Sequence, residues 1–243
     1  MGFLHGVSTD ARYDEMSPLD RALEAYQHKA KKYFKKLNQL ESAPQDVRER
    51  RKQELAAVKV HLEHERRLME SIADVQAQLE IYRDFGRQAI HVAGQSRADS
   101  SSRQNSMLAE EHHPTDQLEA FMRAVPNPKP SPNHTAHHIT PGKGKTKFAY
   151  RARVRMHVLG VRINDPDNGV WLPRFAKHTP HWSMPEALGH LQYHTEGYEK
   201  WVADKLQGRS SESALRLELQ LIGQRLQENN LPPETRKKNK GSV

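Results

Sequence analysis

Cysteine is absent from the chain. No disulfide can brace the fold and no thiolate can hold zinc, so any metal must sit on His, Asp, Glu or Asn. Long apolar runs are missing too: nothing approaches the roughly 18 consecutive apolar residues of a transmembrane helix. The N-terminus, Met1 to Val7, lacks a basic stretch followed by an apolar one. We therefore expect no Sec-type signal, synthesis in the cytoplasm, and another machine as carrier if the protein is exported. Apolar residues are scarce overall, 35% of 243, and the mean hydropathy is −0.90. That is too little for one tightly packed core of this length, and it predicts a small globular part with extended helices and linkers. Positive charge is in excess, with a formal net charge of +8 and a pI of about 9.6. A polyanion is the expected partner, either nucleic acid or an anionic membrane surface.

What the chain does contain falls into four parts. Ser17-Pro18-Leu19-Asp20 has the chemistry of a helix start, with Ser as cap and Pro at the first helical position. Leu19, Leu23, Tyr26, Ala30, Tyr33, Leu37 and Leu40 then step by four and three as a heptad seam. Ser42-Ala43-Pro44 breaks it. A second long helix carries Leu55, Val58, Leu62, Leu68, Ile72, Val75, Leu79 and Tyr82, with Glu65 interrupting the spacing. Residues 1–92 thus read as an antiparallel helical hairpin for assembly or delivery, its outer faces solvated by Lys, Arg and Glu. Residues 93–132 read as a linker, first rich in Ser, Gln, Asn and His, then in Pro, with a short amphipathic helix from Asp116 to Val125. Residues 133–230 read as an α+β domain with helices near 147–159, 185–206 and 215–226. Residues 231–243 form a basic, solubilising tail.

The chemistry concentrates in the α+β part. His137 and His138 end a short strand, and neighbours on a strand point to opposite sides, so one can face a metal while the other faces water. His190 and His194, four apart in the predicted 185–206 helix, would share a face and grip one ion. Neutral imidazole binds Zn and Ni well, and its ordinary pKa near ~6.5 also makes it a usable base. Phosphodiester hydrolysis needs both functions. Each piece also has a plainer reading. With 15 histidines in the chain, a pair at this spacing arises readily, and Asn168-Gly169 is ordinarily just a turn. His134, His157, His178 and His181 read as surface or supporting residues. Gly142-Lys143-Gly144-Lys145 is too short for a P-loop. Lys143, Lys145 and Lys147, with Arg151, Arg153, Arg155, Arg162 and Arg174, either contact phosphates or simply charge the surface.

Taken in order, Ala136-His137-His138-Ile139, Ile163-Asn164-Asp165, Asn168-Gly169-Val170-Trp171-Leu172-Pro173 and His194-Thr195-x-x-Tyr198-x-x-x-Val202 resemble the AHH nucleases. These are a branch of the HNH/endonuclease VII superfamily, often found as C-terminal toxin domains of bacterial effectors. The resemblance spans roughly residues 133 to 206. It implies a ββα-metal core with extra helices and a metal-dependent endonuclease that cuts DNA with little sequence preference. It also implies His138 as general base, Asn168 bonding loop backbone to orient that base, and His137, His194 and His190 as ligands of one divalent ion (Zn, Ni, Mg or Mn). Tyr198 and Val202 would pack the core, and Asn164 and Asp165 would shape the turn before the second strand. Nucleic acid would be held by Lys143, Lys145, Lys147 and Arg174. An antibacterial effector of this kind would be delivered by a secretion or phage-tail-like device through the helical hairpin, act in a target cell's cytoplasm, and need an acidic immunity protein. Two alternatives remain: a non-catalytic nucleic-acid-binding adaptor with a structural zinc, in which His138 is the fourth ligand, and a nuclease directed at RNA.

Overall fold

The computed structural model describes residues 18–40, 44–90, 96–125, 127–144 and 146–236. Ser17, Ser42, Ala43, Pro126, Lys145 and the tail from Lys237 lie outside them. The chain divides into two compact units, residues 1–74 and 75–243.

In the first unit, α1 (Pro18–Leu40) and the leading part of α2 (Gln45–Gln88) are the two long helices expected from the heptad spacing. Leu55 and Leu62 are buried, while Leu37 and Phe34 are largely exposed. Glu65, which breaks the apolar spacing of α2, does so for a partner: its Oε1 lies 2.5 Å from Lys29 Nζ on α1 and 3.2 Å from His61 Nε2.

The second unit holds a two-stranded antiparallel sheet, β1 (His134–His138) and β2 (Gly169–Pro173). Its register sets His137 opposite Val170 and His138 opposite Gly169. All five residues of β1 are buried, so this sheet is covered on both faces. Around it lie α3 (Arg97–Leu108), α4 (Asp116–Ala124), α5 (Lys147–Val158), α6 (Glu196–Gln207) and α7 (Glu212–Gln227). Helix starts follow capping chemistry. Ser96 Oγ accepts Ala98 N–H, Thr146 Oγ1 accepts Phe148 N–H, Thr195 Oγ1 accepts Tyr198 N–H, and Ser211 Oγ accepts Ala214 N–H. The core is built by Leu118 and Met122 of α4, Met156 of α5, Trp171 of β2, Val202 and Leu206 of α6, and Leu219 and Ile222 of α7.

Three expectations are corrected. Much of the stretch read as linker is folded: residues 97–108 are helical, Met107 and His112 are buried, and the Ser-rich face of α3 turns to water. The helix expected over 185–206 starts only at Glu196. Pro185 and Gly189 interrupt the pattern, and His190–Tyr193 form a separate 3-10 turn. His190 and His194 are therefore not two residues of one α-helical face. Asn168-Gly169 is not a reversing turn either: Asn168 ends a 3-10 turn begun at Pro166, and Gly169 is extended at φ −113°.

Charged clamps fasten the periphery. Asp165, fully buried, accepts from Arg83 on α2 (3.1 Å) and Arg216 on α7 (2.8 Å), and Arg216 also reaches Asp167 at 2.7 Å. Gly160 sits at φ +76° and ends α5, and its carbonyl lies where a Cβ on Gly86 would stand, so both positions exclude a side chain. Among the described residues no helix is long and apolar enough to cross a membrane.

Two consequences can be measured. Asp165→Ala leaves two arginines facing a vacated carboxylate site, and should cost roughly 3 kcal/mol in urea unfolding, as for other broken buried ion pairs. His157 is buried with neither ring nitrogen partnered. Burial, reinforced by Arg153 and Arg162, lowers its pKa to about 3. The unfolded chain then takes up a proton below pH ~6.5 that the folded chain refuses, so stability falls as pH drops from ~6.5 toward 3, by up to ~1.4 kcal/mol per pH unit for this group. His157→Leu should flatten the unfolding-versus-pH curve in that window, and an unchanged acid slope would remove His157 as a contributor.

Candidate functional site

β1 sorts its two terminal histidines into different surroundings. The His137 ring lies 5.0 Å from that of His194 and 6.4 Å from that of His190, and those two are 6.0 Å apart, all centroid to centroid. The His138 ring instead lies 5.9 Å from both His112 and His113. Alternation along the strand produces the split.

The His137 group has the chemistry of a metal site. His137 is buried, and its Nε2 has no hydrogen-bond partner. Such a nitrogen is costly unless something satisfies it. Burial, and then the neighbouring His194 and His190, hold its pKa well below the ordinary imidazole value, which keeps it in the neutral form that binds metals. His190 Nδ1 donates to the Arg174 carbonyl at 2.8 Å, which fixes the ring and leaves Nε2 as the nitrogen that carries the lone pair. Three imidazoles on one tetrahedral ion, with N–metal distances of about 2.1 Å, have ring centroids about 5 Å apart. His137 and His194 stand at that distance, and His190 lies about 1 Å outside it. Among the described residues no group of three or more His, Asp or Glu side chains is placed to hold a metal ion. The three imidazoles suit one divalent ion by their donor chemistry, but the spacing of His190 from the other two rings does not form its site.

His138 is held differently. Its Nε2 lies 3.0 Å from Asn164 Oδ1. The Asn164 amide cannot turn around, because its Nδ2 faces three acceptors: Glu110 Oε1 (3.1 Å), the Glu111 carbonyl (2.9 Å) and Gln117 Oε1 (3.0 Å). Oδ1 must therefore face the histidine, so Nε2 carries the proton and Nδ1 keeps the lone pair. Burial lowers the pKa of His138 to about 4, against the opposing bond to Asn164, with His112, His113 and Arg153 adding to the depression. At neutral pH the ring is uncharged, as a general base must be.

Asn168 bonds only backbone: Oδ1 accepts Thr140 N–H (2.8 Å), and Nδ2 donates to the carbonyls of Ile163 (2.8 Å) and Thr140 (3.3 Å). It joins the turn after β1 to the segment before β2 and reaches His138 only through the chain. Tyr198 OH donates to the Ile139 carbonyl (2.9 Å), and Val202 is buried.

The basic residues part ways. Arg153 is buried and donates to the carbonyls of Gly142, Met107 and Glu110. Arg155 donates to the Arg209 carbonyl, and Arg162 pairs with Glu110 at 3.0 Å over the Tyr82 ring. These three build the fold rather than face a ligand. Lys143, Lys147, Arg151 and Arg174 are exposed, and the charge of Arg174 is felt at His190, whose pKa is lowered first by burial and then by that guanidinium. Lys145 lies outside the described residues. His134 and His157, read as surface or supporting residues, are both buried.

Four contributors escaped sequence reasoning. Asn164 was read as a turn former. His112 and His113 lay in the presumed linker, and a Cβ on Gly142 would stand only 2.3 Å from the His112 ring. Tyr82 OH donates to Glu110 Oε1 (2.5 Å) and accepts Asn164 N–H (2.8 Å), so an apolar-seam residue of α2 braces Asn164, the partner of His138. The double histidine His112-His113 was the one signal available, and it matches the His137-His138 doublet in form alone.

Residues 118–226 match the model of the AHH family, described as a nuclease family of the HNH/ENDO VII superfamily with conserved AHH. No curated protein and no solved structure matches the chain.

The tautomer is directly observable. Long-range 1H–15N spectra of imidazole-labelled protein should show His138 with a protonated Nε2 and a bare Nδ1, and Asn164→Ala should populate both tautomers. A wild-type spectrum with the proton on Nδ1 would contradict the assignment.

Proposed function

Starting from a chain whose residues 118–226 belong to the AHH nuclease family, we propose that it is a metal-dependent endonuclease hydrolysing DNA phosphodiester bonds with little sequence preference. The observation that carries the reading is the division of labour across β1. One histidine has an unsatisfied buried nitrogen within a three-imidazole group, and its neighbour is neutral, tautomer-fixed and turned away from that group. A fourth ligand on a structural zinc would join the other three, which disfavours the adaptor reading.

In the reaction, His138 Nδ1 removes the proton from a water as its oxygen attacks phosphorus, and the phosphodiester P–O bond opposite breaks. Asn164 holds Nε2–H, stabilising the imidazolium that forms. His137, His190 and His194 would hold one divalent ion, which supplies positive charge to the phosphate and the departing oxygen. By ligand type Zn or Ni binds tightest, while Mg or Mn can support turnover. Asn168 keeps the turn after His138 in place. Arg174, beside His190, and Lys143 and Lys147 hold backbone phosphates without reading bases, so activity should fall steeply with salt.

An antibacterial effector role accounts for the basic charge and for a helical module preceding the nuclease. The partners are then an acidic immunity protein and a secretion or phage-tail-like device, with the target cell's cytoplasm as the place of action.

The test is cleavage of supercoiled plasmid with Mg, Mn, Zn or Ni, against EDTA and His138→Ala. Metal-dependent nicking that falls about 100-fold or more in the variant is expected. Binding without cleavage under every metal would refute the enzyme.

A further inference from the structure

The loop that follows β2, residues 174–184, carries side chains for which hydrolysis has no use. Trp182 is 85% exposed and Phe175 is 45% exposed. An indole is a large amphipathic ring, and residues of this kind are enriched at interfaces.

Trp182 is also held there. It occupies a tight turn in which Met184 N–H donates to the His181 carbonyl (3.0 Å), and His181 Nδ1 lies 2.8 Å from Ser183 Oγ. Met184 is buried, and the His181 ring packs edge-on against buried His134 at 4.5 Å. The turn is anchored at both sides while its tip presents the indole. The second aromatic, Phe175, has two cations beside it: the Arg174 guanidinium (6.0 Å to the ring centroid) and Lys177 Nζ (5.7 Å), with the His178 ring 5.5 Å away. The loop is continuous with the candidate metal site, since His190 bonds the Arg174 carbonyl at 2.8 Å.

Exposed aromatic faces interleaved with cations beside a phosphodiester-cleaving site match one kind of occupant. Unpaired bases stack on aromatic rings while their phosphates meet Lys and Arg. A continuous duplex keeps its base faces inside its own stack and cannot use an indole in this way. We propose that residues 174–184 form a base-stacking platform, on which Phe175 and Trp182 hold unpaired bases and Arg174 and Lys177 their phosphates, directing the enzyme to single-stranded DNA and to duplex with unpaired segments. This rests on the nuclease reading and gives it a substrate class. Stacking is tolerant of sequence because every base has a π-face, in keeping with cleavage of little sequence preference.

The experiment separates binding from chemistry. Full-length protein in EDTA is titrated with fluorescent oligothymidylate and with a mixed-sequence hairpin duplex. Trp182→Ala should weaken single-strand binding about tenfold or more and change duplex binding less than about twofold. Trp182→Phe should restore most of the loss. The other two tryptophans, Trp171 and Trp201, are buried, so quenching of the exposed indole by oligothymidylate should vanish in Trp182→Phe. Unchanged single-strand affinity in Trp182→Ala, an equal loss on both ligands, or no binding of oligothymidylate by the wild type overturns the platform. Trp182-dependent single-strand binding by a protein that cleaves nothing under any metal would refute the nuclease while the platform stands, so the two failures are distinguishable.

Discussion

Successive side chains of a β-strand point to opposite faces, and everything proposed for this site depends on that constraint acting at His137 and His138. It forces two chemically identical residues into different environments. One meets His190 and His194 with a buried nitrogen unsatisfied; the other meets Asn164, His112 and His113. A ligand must offer a lone pair to a cation, and a base must offer one to a water. Burial keeps both rings neutral, so both offers stand at physiological pH.

The environments are enforced by buried polar groups more than by the small sheet. Asn164 is the hub: its amide oxygen faces His138, and its amide nitrogen gathers Glu110, Glu111 and Gln117. Tyr82 and Arg162 close the network through Glu110. Immediately next in the chain, Asp165 collects Arg83 and Arg216. These buried polar clusters specify one arrangement of helix ends around the site. Several members, Tyr82, Arg83 and Glu110 among them, precede the segment that matches the family. The polar network around His138 therefore extends beyond the segment that matches the family.

The sequence made legible what depends on local periodicity. The doublet His137-His138 and the heptad spacing of α1 and α2 carry short-range signals. The pairing of β1 with β2 followed from the ordered family motifs. What escaped detection depends on long-range burial. Arg153 and Arg162 look like any other basic residue until their partners at Met107, Gly142 and Glu110 are known. The segment 97–114 has the composition of a linker, yet Met107 and His112 are buried against a domain whose own helices supply the apolar surface. The spacing of His190 and His194 suggested a helix, but the signal was a coincidence of number. Gly189 and Thr195 bracket a 3-10 turn there, and it is the turn that brings both rings near His137.

The central claim is that metal and base are separate functions on one strand. Calorimetric zinc titration of His137→Ala and His138→Ala against the wild type tests it most directly. Loss of zinc in His137→Ala, with wild-type stoichiometry and near wild-type affinity retained in His138→Ala, is the predicted result. Loss of zinc in His138→Ala would place that histidine among the ligands and contradict the account.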